Sequence, residues 1–321
     1  MTSKKLLLLI ILAVIVFVGL FSYGDFGDIA GQLSRFPLTY LLAALGLAVI
    51  NYVLRFLRWL YYLRFLKIPV PFGLSALVFL AGLAMSITPG KAGELIKCYL
   101  LRDRVGVPVA ASAPVVVMER LTDVISVVLL ALLGLALLPL PVLLVLGVVL
   151  VLSAALVALI VTRRGDRFFD LPLIRRWSSG LRASFEGMRQ LAGARPMVVA
   201  VILGAGAWFS EGLAFWVILE GLDAQASLLR SLSIYAAATL VGAVSALPGG
   251  LIGTEGSMVA MLQQSGISRG VATAGTLLVR LVTLWFAVAL GLAALLCLSR
   301  LRPGSIQEQN EPDRAALQAQ P

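Results

Sequence analysis

Nine charged residues lie inside apolar segments of the chain, and they are the best candidates for chemistry. They are Lys91, Glu94, Lys97, Glu119, Arg120, Asp123, Glu211, Glu255 and Arg280. A charge at the centre of a bilayer helix costs about 2.5–3.5 kcal/mol on insertion scales, so such residues usually face a bundle interior and are paired or functional. We therefore expect the nine to converge on a polar interior or a hydrated cleft.

The composition limits the chemistry that these charges can do. The chain has no histidine and two cysteines, Cys98 and Cys297. Zinc tetrads, His–Cys nucleophile pairs, imidazole proton relays and disulfide frameworks are therefore excluded by counting. The sequence also has no nucleotide-binding loop. We expect no metal, no other cofactor and no direct use of ATP.

The elements that must position these charges are membrane-spanning helices. The 321 residues are 60% hydrophobic and 13% charged, with a mean hydropathy of +1.00, which predicts an all-α polytopic membrane protein. Runs of about 18 or more apolar residues can cross the hydrocarbon core. Six runs qualify: 6–23, 38–57, 112–138, 140–162, 197–219 and 271–298. The first lacks a small-residue cleavage site after it, so we interpret it as a retained anchor.

Two further apolar stretches, 72–88 and 231–247, end in Pro-Gly pairs. The pairs are Pro89-Gly90 and Pro248-Gly249, and the second is extended by Gly250. A Pro-Gly pair at membrane depth breaks a helix, which is tolerated only where the backbone is buried in protein or lines a water-filled cavity. We therefore predict two re-entrant or broken hairpins, at 72–103 and 231–267. Half-helices that cross fully would leave the loops on the same sides.

Basic residues fix the predicted orientation. With both termini inside, nineteen of the 26 Lys and Arg residues lie in inside segments, Arg55 and Arg58 among them, and three lie outside. This asymmetry satisfies the positive-inside rule and predicts that both termini are cytoplasmic. The net charge of +10 comes from short clusters between apolar runs, so it does not indicate a nucleic-acid partner.

The two breaks belong to an internal repeat. Equivalent positions at offsets of 159 to 161 are Ser86 and Ser245, Pro89 and Pro248, Gly93 and Gly253, Glu94 and Glu255, and Arg120 and Arg280. The predicted orientation inverts repeat 1 (about 38–138) relative to repeat 2 (about 197–298). Inverted repeats with broken helices are typical of transporters, because two such halves can exchange roles and open one site to either side. The alternative is a duplication that only built a stable bundle.

The spacing of the charges favours an anion site. Lys91, Glu94 and Lys97 are three residues apart on a helix predicted to begin just after the first Pro-Gly pair, and the positive end of that helix suits a phosphate. Glu119, Arg120 and Asp123 form a second group, which could equally be an ion-pair cluster that only holds helices together. Glu211 lies 160 residues after Asn51, so the two form a polar pair at equivalent positions, although Glu211 alone could be a packing contact.

The segment between the repeats, 163–196, contains eight arginines and an amphipathic pattern from Ile174 to Leu191. The pattern predicts an interfacial helix on anionic inner-leaflet lipids, with a solvated linker helix as the alternative. The polar, proline-containing tail at 303–321 is predicted to be disordered.

The motifs at 86–97, 119–123 and 248–255 together resemble the lysyl-phosphatidylglycerol synthase transmembrane family, over roughly residues 5–300. The resemblance implies that the protein moves a lipid with a polar or charged headgroup between the leaflets of the bacterial inner membrane. It assigns this role to Pro89, Gly90, Lys91, Gly93, Glu94, Glu119, Arg120, Asp123, Pro248, Gly249, Gly250, Gly253, Glu255 and Arg280. The synthases of this family carry a soluble aminoacyl-transfer domain, which we do not expect here, and we therefore do not expect lysyl transfer.

The leading hypothesis is a lipid flippase with one transmembrane domain at 1–302. Lys91, Arg120 and Arg280 would hold a phosphate, while Glu94, Glu255 and either Asp123 or Glu211 would meet a cation or carry a coupling proton. Candidate lipids are anionic or zwitterionic phospholipids, aminoacyl-phospholipids, hopanoid-type lipids and polyprenyl-phosphate lipids. The alternatives are an intramembrane lipid-modifying enzyme and a scaffold for a lipid synthase; the oligomeric state is open, and a homo-oligomer is one alternative.

Overall fold

The computed structural model describes residues 26–162 and 178–301, together with Gly19 and Tyr23, and all the regular structure in these ranges is helical. The predicted anchor at 6–23, apart from those two residues, the first part of the basic segment at 163–177, and the tail at 303–321 lie outside the described residues.

The described part of the first half, residues 26–162, contains six α-helices and one long break. Helix α1 is Phe26–Arg35, α2 Leu38–Phe65, α3 Phe72–Leu83, α4 Ile96–Val105, α5 Val109–Leu132 and α6 Leu140–Val161. Two 3₁₀ segments, Ala84–Ile87 and Pro89–Leu95, separate α3 from α4, and we call residues 84–95 the first break. A proline directly precedes α2, α3, α5 and α6, where its missing N–H removes no helical hydrogen bond.

The second half repeats the order from α1 to α5, and its described residues contain no counterpart of α6. Helix α7 is Ser178–Leu191, α8 Ala194–Gly221, α9 Leu228–Val244, α10 Gly253–Gln264, α11 Arg269–Arg280 and α12 Phe286–Arg300. A one-turn 3₁₀ segment, Pro248–Gly250, lies between α9 and α10, and we call residues 245–252 the second break. A π-helical segment, Leu281–Trp285, joins α11 to α12, and the two helices together stand in the place of α5. The side chains of Ser227 and Ser268 cap α9 and α11 by accepting backbone N–H groups.

The helices of the two halves pack reciprocally. Helices α2 and α8, each 28 residues long, form the most extensive helix pair in the described chain. In each half we call the helix after the hairpin the post-hairpin helix: α5 in the first half and the continuous α11–α12 in the second. Each packs on the first arm of the other half's hairpin, since α5 contacts α9 and α12 contacts α3. The two breaks also contact each other. The breaks therefore lie at the centre of the molecule, between the halves.

Glycine sets how closely α12 approaches the first break. A Cβ atom on Gly291 would overlap the backbone nitrogen of Ala84, so the helix and the 3₁₀ segment touch directly at this point. Only glycine fits a backbone approach this close.

Four described helices are long and apolar enough to cross a membrane: Leu38–Phe65, Leu140–Val161, Ala194–Gly221 and the continuous Arg269–Arg300. They correspond to four of the six predicted spans. The predicted span at 112–138 forms α5, which contains three charged residues and falls outside this apolar class. Helix α6 is the least buried of the four, and its apolar side chains face outward as expected for contact with lipid.

The placement of Arg55 and Arg58 in an inside loop was wrong. Helix α2 continues to Phe65, beyond the predicted end at 57, and both arginines are buried within the bundle, at 5% and 0% exposure. Seventeen basic residues then remain on the inside against three outside, so the predicted orientation is unchanged.

The described part of the amphipathic pattern, Ser178–Leu191, forms α7, and its apolar face packs on protein. Met188 and Leu191 are buried, Ser184 Oγ donates to the Ala110 carbonyl at 2.9 Å, and Arg189 Nε donates to the Ile160 carbonyl at 3.0 Å. Helix α7 is thus attached to α5 and α6. Contact of this segment with anionic lipids stays a prediction.

Candidate functional site

A cavity of about 210 Å³ lies between the two halves. Its wall combines residues from α2, α5, α8 to α12, both breaks and the π-helical segment. The polar and aromatic residues that line this central cavity are Tyr52, Arg55, Ser86, Thr88, Arg120, Asp123, Trp208, Glu211, Tyr235, Thr239, Thr254, Arg280 and Thr283. Aliphatic side chains, among them Val124, Leu240 and Leu284, form the rest of the wall.

Asp123 is the centre of the larger group of charges. Its carboxylate pairs with Arg58 at 2.6 Å, with Arg120 at 2.9 Å and with Arg55 at 3.6 Å. Arg55 and Arg58 lie three residues apart on α2, and Arg120 and Asp123 have the same spacing on α5, so each pair shares one face of its helix. One buried carboxylate therefore joins α2 to α5 through the guanidinium groups of Arg55 and Arg58, and Arg120 of its own helix is its third partner.

Glu94 connects this group to the first break. Its carboxylate lies 3.2 Å from Arg120, 3.6 Å from Lys97 and 3.8 Å from Arg55. The side chain is 3% exposed, so these contacts occur in a low-dielectric interior where charge pairing is strong. The pairing between Glu94 and Arg120 fixes the end of the first break to α5.

Lys97 lies behind Glu94 and away from the central cavity. Its ammonium pairs with Glu119 at 2.5 Å and lies 4.6 Å from the Trp59 ring centroid and 5.6 Å from that of Phe79. A buried ammonium needs such a carboxylate and aromatic surroundings to offset its loss of hydration. Lys97 and Glu119 therefore hold α4 against α5. The first cluster comprises Arg55, Arg58, Glu94, Lys97, Glu119, Arg120 and Asp123.

Arg280 and Glu255 form the second cluster. Arg280 Nε lies 2.6 Å from Glu255, and Arg280 Nη2 donates to the Gly249 carbonyl at 2.6 Å. The arrangement matches that of the first half, where Arg120 pairs with Glu94. In both halves an arginine on the post-hairpin helix pairs with the glutamate that comes after the Pro-Gly pair.

Glu211 has a different environment. It is 6% exposed and accepts a hydrogen bond from the Tyr235 hydroxyl at 2.7 Å. The Asn51 side chain donates a hydrogen bond at 2.8 Å to the backbone carbonyl of Ala207, one turn before Glu211 on α8. Both residues lie at the interface between α2, α8 and α9.

The first break has a different backbone from the one predicted. The α-helix does not begin just after Pro89-Gly90; the chain runs as a 3₁₀ helix to Leu95, and α4 begins at Ile96. Thr88 Oγ1 donates to the Met85 carbonyl at 2.6 Å and accepts the Gly93 N–H at 2.9 Å. This threonine holds the tight turn in place.

The second break uses left-handed backbone. Ala246, Gly249, Gly250 and Ile252 have φ values of 53°, 63°, 67° and 72°. The two glycines adopt this conformation at little cost and present backbone to the central cavity. Ile252 is β-branched, and positive φ is strained for such a residue.

The structure separates the predicted site residues into three sets. Six line the central cavity: Arg120, Asp123, Glu211, Gly249, Gly250 and Arg280. Seven lie in the breaks, in the clusters or, for Gly253, at the start of α10, but outside the cavity lining: Gly93, Glu94, Lys97, Glu119, Pro248, Gly253 and Glu255. The remaining three, Pro89, Gly90 and Lys91, lie in the 3₁₀ segment Pro89–Leu95, and their side chains fall outside the structural description.

Sequence reasoning missed Arg55 and Arg58, which complete the first cluster. The missed signal was the apolar and aromatic run from Trp59 to Leu63, which shows that the helix continues past both arginines. It also missed the aromatic part of the cavity wall, Tyr52, Trp208 and Tyr235, because such residues are ordinary in apolar helices.

Comparison with known proteins gives one family and two relatives. Residues 6–291 match the sequence model of the lysylphosphatidylglycerol synthase TM region. A UPF0104 membrane protein of Methanothermobacter thermautotrophicus is 26% identical over 317 residues, which cover 90% of this chain and 94% of that protein. A second UPF0104 membrane protein of the same organism is 29% identical over 119 residues, covering 37% of this chain and 36% of that protein.

Proposed function

Because the chain belongs to the family of the lysylphosphatidylglycerol synthase TM region, we propose that this multi-pass membrane protein moves a lipid with a polar or charged headgroup between the leaflets of the bacterial inner membrane. The observation that carries the proposal is the cavity between the halves, which presents Arg55, Arg120 and Arg280 on its wall. In the proposed orientation both termini are cytoplasmic, and the basic face of α7 lies against anionic lipids.

The charge of the first cluster suits a phosphate. Its four cationic side chains meet three carboxylates, so one positive charge has no matching negative charge within the cluster. Guanidinium groups bind phosphate oxygens through paired hydrogen bonds, and they do so most strongly where water is excluded. A phosphate in the central cavity would balance this charge.

The size of the cavity suits a headgroup. A volume of about 210 Å³ can hold a phosphate with a small substituent but not the acyl chains as well. We propose that the headgroup enters through a lateral cleft between the two breaks while the acyl chains stay in the bilayer.

The paired elements support an inverted repeat with six full spans and two re-entrant hairpins. The described parts of the two halves share the order of a 28-residue helix, a broken hairpin and a helix after it, and they make reciprocal contacts between α5 and α9 and between α12 and α3. A pseudo-two-fold axis through the contacting breaks accounts for all of these. In transporters with such repeats the substrate binds at the repeat interface, and one half moves against the other.

The two Arg–Glu pairs then act as reversible links. A phosphate in the cavity competes with Glu94 for Arg120 and with Glu255 for Arg280. When a phosphate binds the arginine, the link between the post-hairpin helix of that half and its hairpin weakens, and the hairpin can move. Binding of the headgroup would therefore open the cavity toward one leaflet or the other.

The experiment is leaflet exchange of headgroup-labelled lipids in proteoliposomes. Native protein is compared with Arg120→Ala, Glu94→Gln and Glu255→Gln, and exposed Arg35→Ala is the matched control. We expect exchange above the rate of empty liposomes for native protein and Arg35→Ala, and a loss of about tenfold or more in the other three, since each removes a charge-assisted contact.

Circular dichroism of each variant checks that its helices are intact. Exchange no faster than in empty liposomes for phospholipids of both zwitterionic and anionic class would refute the proposal. Equal rates in all folded variants would refute the roles of the two Arg–Glu pairs.

A further inference from the structure

Glu211 differs from the other buried carboxylates in the described part of the chain. Glu94, Glu119, Asp123 and Glu255 each lie within 4 Å of a lysine or arginine nitrogen. Glu211 is as deeply buried, but its hydrogen-bond partner is the Tyr235 hydroxyl, and residues 26–162 and 178–301 provide it with no ion pair. Arg55 lines the same cavity and its charge interacts with that of Glu211, but it does not contact the carboxylate. A cation that contacts Glu211 directly would therefore stabilise the buried carboxylate further.

Aromatic residues line the same cavity as this carboxylate. Tyr52 from α2, Trp208 from α8 and Tyr235 from α9 all line the cavity together with Glu211. Trp208 lies one turn before Glu211 on α8, and the Tyr52 hydroxyl is held by the Thr283 carbonyl at 2.9 Å. Aromatic faces next to a carboxylate are the chemistry by which proteins bind ammonium groups.

The cavity thus presents two kinds of recognition group. One is the set of arginines that suits phosphate, and the other is Glu211 with its aromatic neighbours. We propose that the transported headgroup is a compact phosphodiester that also carries an ammonium group, and that Glu211 is the residue that binds this ammonium. The inference rests on the proposed function and adds the class of substrate to it.

The charges balance in this arrangement. The phosphate offsets the one unmatched positive charge of the first cluster, and the ammonium offsets the one negative charge of Glu211. A headgroup with hydroxyls in place of the ammonium leaves the buried carboxylate uncompensated, since a neutral donor does not supply a charge. A bulky glycan headgroup does not fit beside the phosphate in about 210 Å³.

The test compares two phosphodiesters of similar size that differ in the ammonium. Proteoliposomes containing the full chain receive tracer amounts of phosphatidylethanolamine or phosphatidylglycerol, and leaflet exchange is measured for each. We expect native protein to exchange the ethanolamine lipid about tenfold faster, the usual effect of one hydrogen-bonded charge. In Glu211→Gln the ratio should fall to near one, mainly because the ethanolamine lipid slows.

Glu220→Gln is the matched control, because Glu220 is on the same helix but does not line the cavity. Tyr235→Phe removes only the hydroxyl that contacts Glu211, and we expect it to reduce the ratio by a smaller factor, about two- to threefold. This variant preserves the test should Glu211→Gln fail to fold.

The two proposals fail in different ways. Equal or faster exchange of phosphatidylglycerol by native protein overturns the ammonium site and leaves lipid transport standing. A ratio unchanged in both Glu211→Gln and Tyr235→Phe also overturns it. If neither lipid is exchanged faster than in empty liposomes, the proposed function itself is overturned.

A second measurement uses soluble headgroups. Phosphoethanolamine should raise the unfolding temperature of the detergent-solubilised native protein more than glycerol 3-phosphate does, and Glu211→Gln should abolish the difference. Equal protection of the native protein by both compounds contradicts the assignment.

Discussion

The two breaks carry the same Pro-Gly motif but have different backbones. The first runs as a 3₁₀ helix, and within the described chain none of its residues has positive φ. The second contains four residues with positive φ. The difference follows from length, because Glu94 comes five residues after Pro89 while Glu255 comes seven after Pro248. The two additional residues are accommodated by left-handed turns, so both glutamates still reach their arginines.

The glutamates of the two halves also differ in how many cationic side chains they contact. Glu94, at the end of the first break, contacts three cationic side chains, whereas Glu255 contacts one. The first break is therefore fixed by a buried network of charges, and the second is held by one ion pair and one backbone hydrogen bond. We expect the second hairpin to be the more mobile of the two.

The largest effect should come from Asp123→Asn. This change removes the charge that faces three arginines and leaves them uncompensated in the interior, at a cost of about 3–5 kcal/mol. The check is thermal unfolding in detergent, with Asp103→Asn as the control because the Asp103 side chain is 68% exposed. Similar unfolding temperatures for the two variants would contradict the idea that the first cluster fixes its half of the molecule.

Neutralising the two break glutamates should separate stability from transport. Glu94→Gln should lower the free energy of unfolding by about 1–3 kcal/mol more than Glu255→Gln, because the latter leaves Arg280 bonded to the Gly249 carbonyl. Both variants should slow lipid exchange. Chemical denaturation measures the first quantity and proteoliposomes the second; equal losses of stability would show that the two breaks are held equally well.

Gly249→Ala should destabilise the protein by about 1–2 kcal/mol, the cost of left-handed backbone for a residue with a Cβ atom. Space is not the cause, since the added Cβ meets its nearest neighbours at 3.4 Å. Gly256→Ala is the control, as Gly256 is helical and its Cβ would meet nothing within 4 Å. A smaller loss for Gly249→Ala than for the control would exclude this conformation at the second break.

Ile252→Gly should have the smallest effect, and in the opposite direction. It relieves positive φ at a β-branched residue whose side chain is largely exposed, but it adds freedom to the unfolded chain, so we expect a gain of about 0.5–1 kcal/mol. Thermal unfolding of this variant beside native protein gives the sign. A loss of stability would show that the Ile252 side chain contributes more than its backbone strain costs.

The sequence predicted the parts of the site that follow from rules about charge in membranes. Arg120, Asp123, Glu211 and Arg280 were found because each is out of place in an apolar segment, and all four line the cavity. Arg55 was missed for a related reason. Its charge was taken to mark the end of a span, whereas a buried carboxylate on another helix compensates it.

Sequence rules did not predict the backbone conformation of the two breaks or the tertiary contacts around the cavity. Pro-Gly predicts a break, but it does not distinguish the 3₁₀ path after Pro89 from the left-handed path after Pro248, because the choice depends on how far each chain must reach to its arginine. The aromatic wall was equally hidden, since Tyr52 and Tyr235 come together only when α2 and α9 pack around α8.

The π-helical segment at Leu281–Trp285 sets the register of the last helix. Removing one residue there would rotate α12 by about 100° relative to α11. Gly291 would then turn away from Ala84, and a larger neighbouring side chain would meet the first break instead. Substitutions in this segment should therefore be tolerated over evolution far more readily than insertions or deletions, and relatives should differ here in residue type but not in length.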